Sequence, residues 1–237
     1  MNMLSKKILD VMYPPRCPVC DRAVNPAERI CRKCVDRLVP LVQPWCMRCG
    51  KKLMSEEEYC EDCKRISHNF DRGRALYEYE SVALSIYRMK YGGRQEYAEY
   101  FGRAMAKYLG PFIRMVGPQA LIPVPLHPAR MRKRGYNQSA LLAKTVGKEL
   151  DIPVAENLIS RVRNTQPLKR QNPIERQNNL KKAFIINQND VKLKLNTTII
   201  VDDIYTTGST VDEITTVLKA GGVKRVYVVT LACGAGV

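Results

Sequence analysis

Two adjacent carboxylates at the end of an apolar run are the clearest chemical feature of this chain. Thr198-Ile199-Ile200-Val201-Asp202-Asp203 runs through Ile204 and Tyr205 into Thr206-Thr207-Gly208-Ser209-Thr210. The last five residues offer small hydroxyls, a glycine and consecutive backbone N–H groups. At the start of a helix such a loop cradles phosphate without a lysine, because free N–H groups and the helix dipole both favour an anion. Asp202 and Asp203 would repel phosphate, so beside it they suit sugar hydroxyls or a divalent metal. Phosphate at the loop and a diol at the acids together describe a ribose 5-phosphate. The plainer alternative is a strand–turn–helix with surface acids, but paired aspartates at a buried strand's end cost stability unless a ligand uses them.

The second chemical feature is sulfur. Eight of the nine cysteines form four Cys-x-x-Cys pairs, Cys17/Cys20, Cys31/Cys34, Cys46/Cys49 and Cys60/Cys63. Ten residues separate the first pair from the second, and ten the third from the fourth, so the unit repeats. Two knuckles supply four thiolates, a complete tetrahedral shell for structural zinc with no position left for catalysis. Sequential sites are expected, with Cys17, Cys20, Cys31 and Cys34 in one and Cys46, Cys49, Cys60 and Cys63 in the other. A cross-braced arrangement and disulfides are the alternatives, and a cytoplasmic chain disfavours disulfides. Cys233, in an apolar run, reads as a buried thiol.

The third feature is a cationic loop, His127 to Gln138, holding Arg130, Arg132, Lys133 and Arg134 before Gly135. It follows a proline-punctuated strand over Ala120 to Leu126 and precedes a helix from Ser139 to Leu150. That makes it a second anion site or a solvated basic loop.

These groups need elements to hold them. Ile199, Ile200 and Val201 read as a strand buried on both faces, and Val211, Ile214, Val217 and Leu218 as one face of a helix that Gly221-Gly222 ends. Val226 to Leu231 reads as the next strand, so the unit is a parallel crossover with its chemistry at the strands' carboxyl ends. Upstream, a strand is expected over Arg74 to Tyr79 and helices over Ser81 to Met89 and Gln95 to Leu109. Their many tyrosines either form core faces, the favoured reading, or stack unpaired bases beside cations such as Arg88 and Lys90. Arg161 to Phe184 is polar and basic, and reads as a mobile loop followed by a short helix. The expected organisation is a double zinc ribbon with a short N-terminal helix over residues 1–68 and an α/β domain over 69–237.

The chain has 237 residues and a formal charge of +16, from 39 basic and 23 acidic residues. That excess favours polyanionic partners. No apolar run is long enough to span a bilayer, and Met1 to Tyr13 is too broken for a secretory signal. A cytoplasmic protein without stable membrane insertion is expected. With only two histidines, a Ser/His/Asp hydrolase is disfavoured.

The acid pair and the Thr206–Thr210 loop resemble the phosphoribosyl-pyrophosphate motif of type I phosphoribosyltransferases. The resemblance implies a parallel sheet flanked by helices, ribose hydroxyls at Asp202 and Asp203, and the 5-phosphate at Thr206, Thr207, Gly208, Ser209 and Thr210. It also implies Mg²⁺ with phosphoribosyl pyrophosphate, displacement at the ribose C1 with Asp203 as a base, and Lys90, Arg130 and Arg134 on the pyrophosphate or on DNA. The whole chain resembles the ComF family. The features that carry this are the double ribbon, Arg88-Met89-Lys90-Tyr91-Gly92-Gly93, Pro123-Val124-Pro125-Leu126, and Arg130 with Arg134-Gly135-Tyr136-Asn137-Gln138. That likeness implies a late competence protein handling single-stranded DNA during natural transformation, beside a helicase-like partner. A metabolic phosphoribosyltransferase of unread acceptor and a nucleotide-sensing transcriptional regulator are the alternative functions.

Overall fold

The computed structural model describes residues 14–163, 183–187 and 195–234. The expected helix within residues 1–13, and most of the expected mobile loop and short helix after Arg161, lie outside these residues. In chain order the elements are α1 (Arg32–Val35), α2 (Glu61–Arg65), β1 (Arg72–Glu78), α3 (Tyr79–Tyr91), α4 (Tyr97–Val116), β2 (Ala120–Pro123), α5 (Pro128–Arg134), α6 (Gln138–Leu150), β3 (Ile159–Arg161), β4 (Phe184–Ile186), β5 (Thr197–Tyr205), α7 (Ser209–Ala220) and β6 (Arg225–Cys233).

β1, β6, β5 and β2 form one sheet in that order, and every pairing is parallel. β3 and β4 make a separate antiparallel ribbon. The apolar β-branched run of β5 is buried from Thr197 to Val201, as a strand covered on both faces must be. On one face Leu142, Ala143 and Val146 of α6 join Phe101, Met105 and Ile113 of α4. On the other, Val211, Ile214 and Leu218 of α7 pack with Ile200, Val226 and Val228. Thus α6, after β2, and α7, after β5, cover opposite faces. The adjacent carboxyl ends of β2 and β5 are therefore a switch point, where open α/β sheets form a ligand crevice.

The structure departs from three local expectations. The cationic loop contains a short helix, α5, because His127 accepts a hydrogen bond from Ala129 N, Pro128 fits a first-turn position and Gly135, at φ +80°, ends it. The strand before it stops at Pro123, where the prolines begin. α4 runs past Leu109 and through Pro111 to Gly117.

The cysteine-rich segment is built into the sheet. Cys17, Ile30, Cys34 and Leu38 belong to the core on the α4–α6 face, and Cys46, Cys49 and Leu53 to the core on the α7 face. Between them the backbone meets β1, with Leu41 N donating to Leu76 O (2.8 Å) and Gly73 N to Arg48 O (2.6 Å). Gly50 makes this approach feasible. At φ +78°, a Cβ there would lie 2.7 Å from Gly73 O and from Arg74 Cα. Trp45 packs under the Arg74 guanidinium, 4.8 Å from its ring centroid. Asp21 anchors the first ribbon, accepting from Tyr97 Oη and pairing with Arg94. These bonds, and the Arg94 charge, hold its carboxyl below the usual range against the opposing effect of burial.

Candidate functional site

β5 carries both acids into the crevice before its end at Tyr205. Asp202 Oδ1 accepts from Ser139 Oγ at the start of α6 (2.7 Å) and from Asp203 N (2.9 Å). Asp203 is 5% exposed, and its Oδ2 lies 2.6 Å from Lys90 Nζ of α3. That contact is an ion pair without hydrogen-bond geometry. Burial first, and the Asp203 carboxylate second, push the Asp202 carboxyl up to about 7, against the pull of Ser139 and Lys90.

This has a stability consequence with a definite sign. The folded chain holds a proton on Asp202 at pH values where an ordinary aspartate, with a pKa of about 3.9, has lost it. The contribution of this group to stability therefore falls as pH rises from about 4 to about 7, and its loss is complete above that. Asp202→Asn should stabilise the fold at pH 8 by about 1–2 kcal/mol, after allowance for the solvent this half-buried group still sees, and so raise the melting temperature. At pH 4 it should change little. A variant that melts below the wild type at pH 8 would contradict this electrostatic picture.

The loop after β5 leads into α7 through Gly208, which sits at φ +80° as the N-cap and brings no capping side chain. The first N–H groups of α7 are thus left without a side-chain partner at the cap, the condition for anion binding. Thr207 Oγ1 and Ser209 Oγ are 3.0 Å apart, Thr207 is buried and Thr206 is exposed. The predicted loop residues, Thr206 to Thr210, therefore sit together at one helix start, one turn of chain beyond the acids.

Beneath the loop lies a group that the sequence did not reveal. The buried His68 holds Asp212 of α7 through Nδ1 (2.7 Å) and faces the Tyr205 hydroxyl through Nε2 (3.3 Å). Asn69 N donates to the other Asp212 oxygen (2.8 Å). A Cβ on Gly208 would sit 2.5 Å from Tyr205 Oη and 2.8 Å from His68 Cε1, so this set forms the floor of the loop.

Of the three predicted cations, Lys90 meets an acid. Arg134 Nη1 donates to Gln138 Oε1 (2.9 Å), and its guanidinium lies 5.1 Å from the centroid of the Tyr91 ring. Burial first, then Arg134, lowers the pKa of Arg130. The Tyr136-Asn137-Gln138 segment proves to be scaffolding. Tyr136 Oη and Gln138 Nε2 both donate to Met89 O, while Asn137 Nδ2 donates to Val124 O. These bonds tie the ends of α3 and β2 to the start of α6, which carries Ser139. Arg161, buried in β3 over the Phe184 ring, feels both Arg130 and Asp202 and is a further cation near the acids.

The cysteines gather as two sets, Cys17, Cys20, Cys31, Cys34 and Cys46, Cys49, Cys60, Cys63, with the Sγ atoms of each within 4.8 Å of one another. The sequential pairing is the one observed. Cys20 and Cys31 sulfurs are 3.7 Å apart, and those of Cys49 and Cys60 are 3.6 Å apart. A tetrahedron with Zn–S bonds of about 2.3 Å has edges of about 3.8 Å, so the residues fit zinc. Crowding splits the thiols, with Cys46 driven down and Cys49 driven up chiefly by their mutual hydrogen bond. Cys233 is a buried thiol facing Tyr77 O, as expected. Among the described residues, no helix is long and apolar enough to cross a membrane.

Comparison with known proteins agrees with this layout. Residues 8–64 match the double zinc ribbon domain family, and residues 137–235 match the phosphoribosyl transferase domain family. The chain is 30% identical to competence protein F of Haemophilus influenzae over 226 residues, covering 92% of this chain and 96% of that protein. It is 30% identical to the DNA utilization protein YhgH of Salmonella typhimurium, covering 90% and 87%. It is 28% identical to the competence protein ComFC of Bacillus subtilis, covering 79% and 76%.

Proposed function

The chain belongs to the ComF family of competence proteins, and from that premise we propose that it handles single-stranded DNA during natural transformation on a scaffold that binds phosphoribosyl pyrophosphate. The observation that carries the ligand half is the meeting of Asp202 and Asp203 with the uncapped start of α7 at one strand end. The loop Thr206–Thr210 takes the 5-phosphate on backbone N–H groups. Asp202 and Asp203 take the ribose hydroxyls. Arg130 and Arg134 offset the pyrophosphate charge. Lys90, already on Asp203, turns to the ligand or holds the acid in place. Mg²⁺ bound with the ligand would neutralise charge between its phosphates and the acid pair. Zinc in the two cysteine sets is structural. The DNA half is supported by the relatives' names and by the charge of +16. A cytoplasmic location and a helicase-like partner on the same strand belong to this proposal.

One observation favours a second reading, a phosphoribosyltransferase of metabolism. Asp202 lies at the strand end beside Asp203, where burial and that second carboxylate push its carboxyl up, and such a group suits a general base on an incoming nucleophile.

Titration calorimetry tests the first reading. Phosphoribosyl pyrophosphate should bind in the presence of Mg²⁺ and fail to bind the Asp202→Asn, Asp203→Asn double variant. An oligo-dT strand should bind with an affinity that falls steeply with salt. Adding either ligand should change the affinity of the other by the same factor if the sites are coupled. Absence of binding by both ligands would overturn the proposal. Pyrophosphate release with a free base as acceptor would shift it to the second reading.

A further inference from the structure

The described tyrosines differ widely in burial. Tyr77 and Tyr97 are in the core, as expected, but Tyr87 and Tyr91 of α3 are each 58% exposed. They stand one helical turn apart with ring centroids separated by 5.2 Å. Leu84, one turn before Tyr87, is exposed as well. Among the described residues these large rings pack little beyond each other and the Arg134 guanidinium, so core packing does not account for them.

The cations around them are unequally used. On the α3 side, Arg88 donates to Val19 O and Arg94 pairs with Asp21, so both hold the first ribbon in place. On the α5 side, Arg132 and Lys133 are exposed, and among the described residues no carboxylate lies within ion-pair distance of them or of Arg134. Arg134 lies over Tyr91 and so joins the two helices into one surface. The backbone there is open. A Cβ on Gly93 or on Gly135 would meet nothing within 4 Å.

We propose that the Tyr87–Tyr91 face of α3, with Arg132, Lys133 and Arg134 of α5 beside it, is the platform on which this chain holds single-stranded DNA. The inference deepens the DNA half of the proposed function and rests on it. Unpaired bases present flat faces that stack on exposed rings without regard to sequence, and a row of cations follows the phosphates. Duplex DNA keeps its base faces buried and cannot use the rings. An apolar protein surface would gain little from this row of cations. The platform adjoins the crevice, since Lys90, the neighbour of Tyr91, reaches Asp203.

Fluorescence anisotropy with a labelled oligo-dT, on the full zinc-loaded chain, tests this. Tyr87→Ala with Tyr91→Ala should weaken binding about 10- to 100-fold while leaving the slope of log affinity against log salt unchanged. Tyr87→Phe with Tyr91→Phe should keep the affinity. Arg132→Ala with Lys133→Ala should reduce that slope by about 1.4. All these side chains are exposed, and melting curves superimposable on the wild type will certify the folds. Wild-type DNA binding that survives the double alanine change overturns the platform and leaves the DNA reading standing. No wild-type DNA binding overturns both. A fall in particle mass on the alanine change, with DNA affinity unaltered, would identify the face as a contact between copies and overturn the platform.

Discussion

Removing zinc will unfold the α/β sheet together with the ribbons, in a single transition. Cys17 and Cys34 are part of the core on one face of the sheet, and Cys46 and Cys49 part of the core on the other. Loss of a metal therefore opens a core rather than detaching an appendage. Structural zinc contributes about 10–16 kcal/mol of apparent binding free energy in small finger domains at neutral pH. Whole domains are stable by only about 5–15 kcal/mol. We therefore propose that the two modules read from the sequence on either side of residue 68 melt as one unit. Circular dichroism during chelator titration should show sheet and helix signals falling together, in step with zinc release followed by a chromophoric indicator. Cys46→Ser and Cys17→Ser should each give a protein that fails to melt cooperatively. A sheet that keeps its own melting transition after both metals have left would refute the claim.

Gly208→Val should abolish binding of phosphoribosyl pyrophosphate, with an affinity loss of at least about 100-fold. Two effects combine. The position requires φ +80°, where a β-branched residue is strained by about 1–3 kcal/mol. The new side chain would also enter the space of Tyr205 Oη and His68 Cε1, less than 3 Å from its first carbon. Relief of either effect turns the first N–H groups of α7 away from the phosphate. Calorimetry with Mg²⁺ present measures the loss, and the far-UV spectrum checks that the fold persists. Retention of wild-type affinity would show that the phosphate is held elsewhere.

Contiguous chemistry is legible in a sequence, and distributed chemistry is not. Asp202, Asp203 and Thr206–Thr210 are neighbours in the chain, and a strand followed by a helix start is enough to bring them together. The paired knuckles are legible for the same reason, since ten-residue spacing closes each cysteine set locally. His68 and Asp212 are 144 residues apart, and only the finished fold brings the histidine under the loop. Ser139 reaches Asp202 across 63 residues and was equally hidden. The cationic segment reads as an anion site or a solvated loop, because composition does not say which way a side chain points. The structure divides it among α5, the Tyr91 ring and hydrogen bonds that hold helix ends. The tyrosines were ambiguous because Tyr87 and Tyr97 have the same local character, and burial alone separates them.

The ribbons' bonds to Leu76 and Gly73 occupy backbone groups on the outer side of β1 that would otherwise be open to pairing. When the metals leave and the sheet opens, these groups and the apolar run that carries them are freed together, and such a segment is a template for pairing with other molecules. Cells starved of zinc should therefore accumulate this protein in insoluble form rather than as a soluble apoprotein, and its supply would follow metal nutrition as well as gene expression.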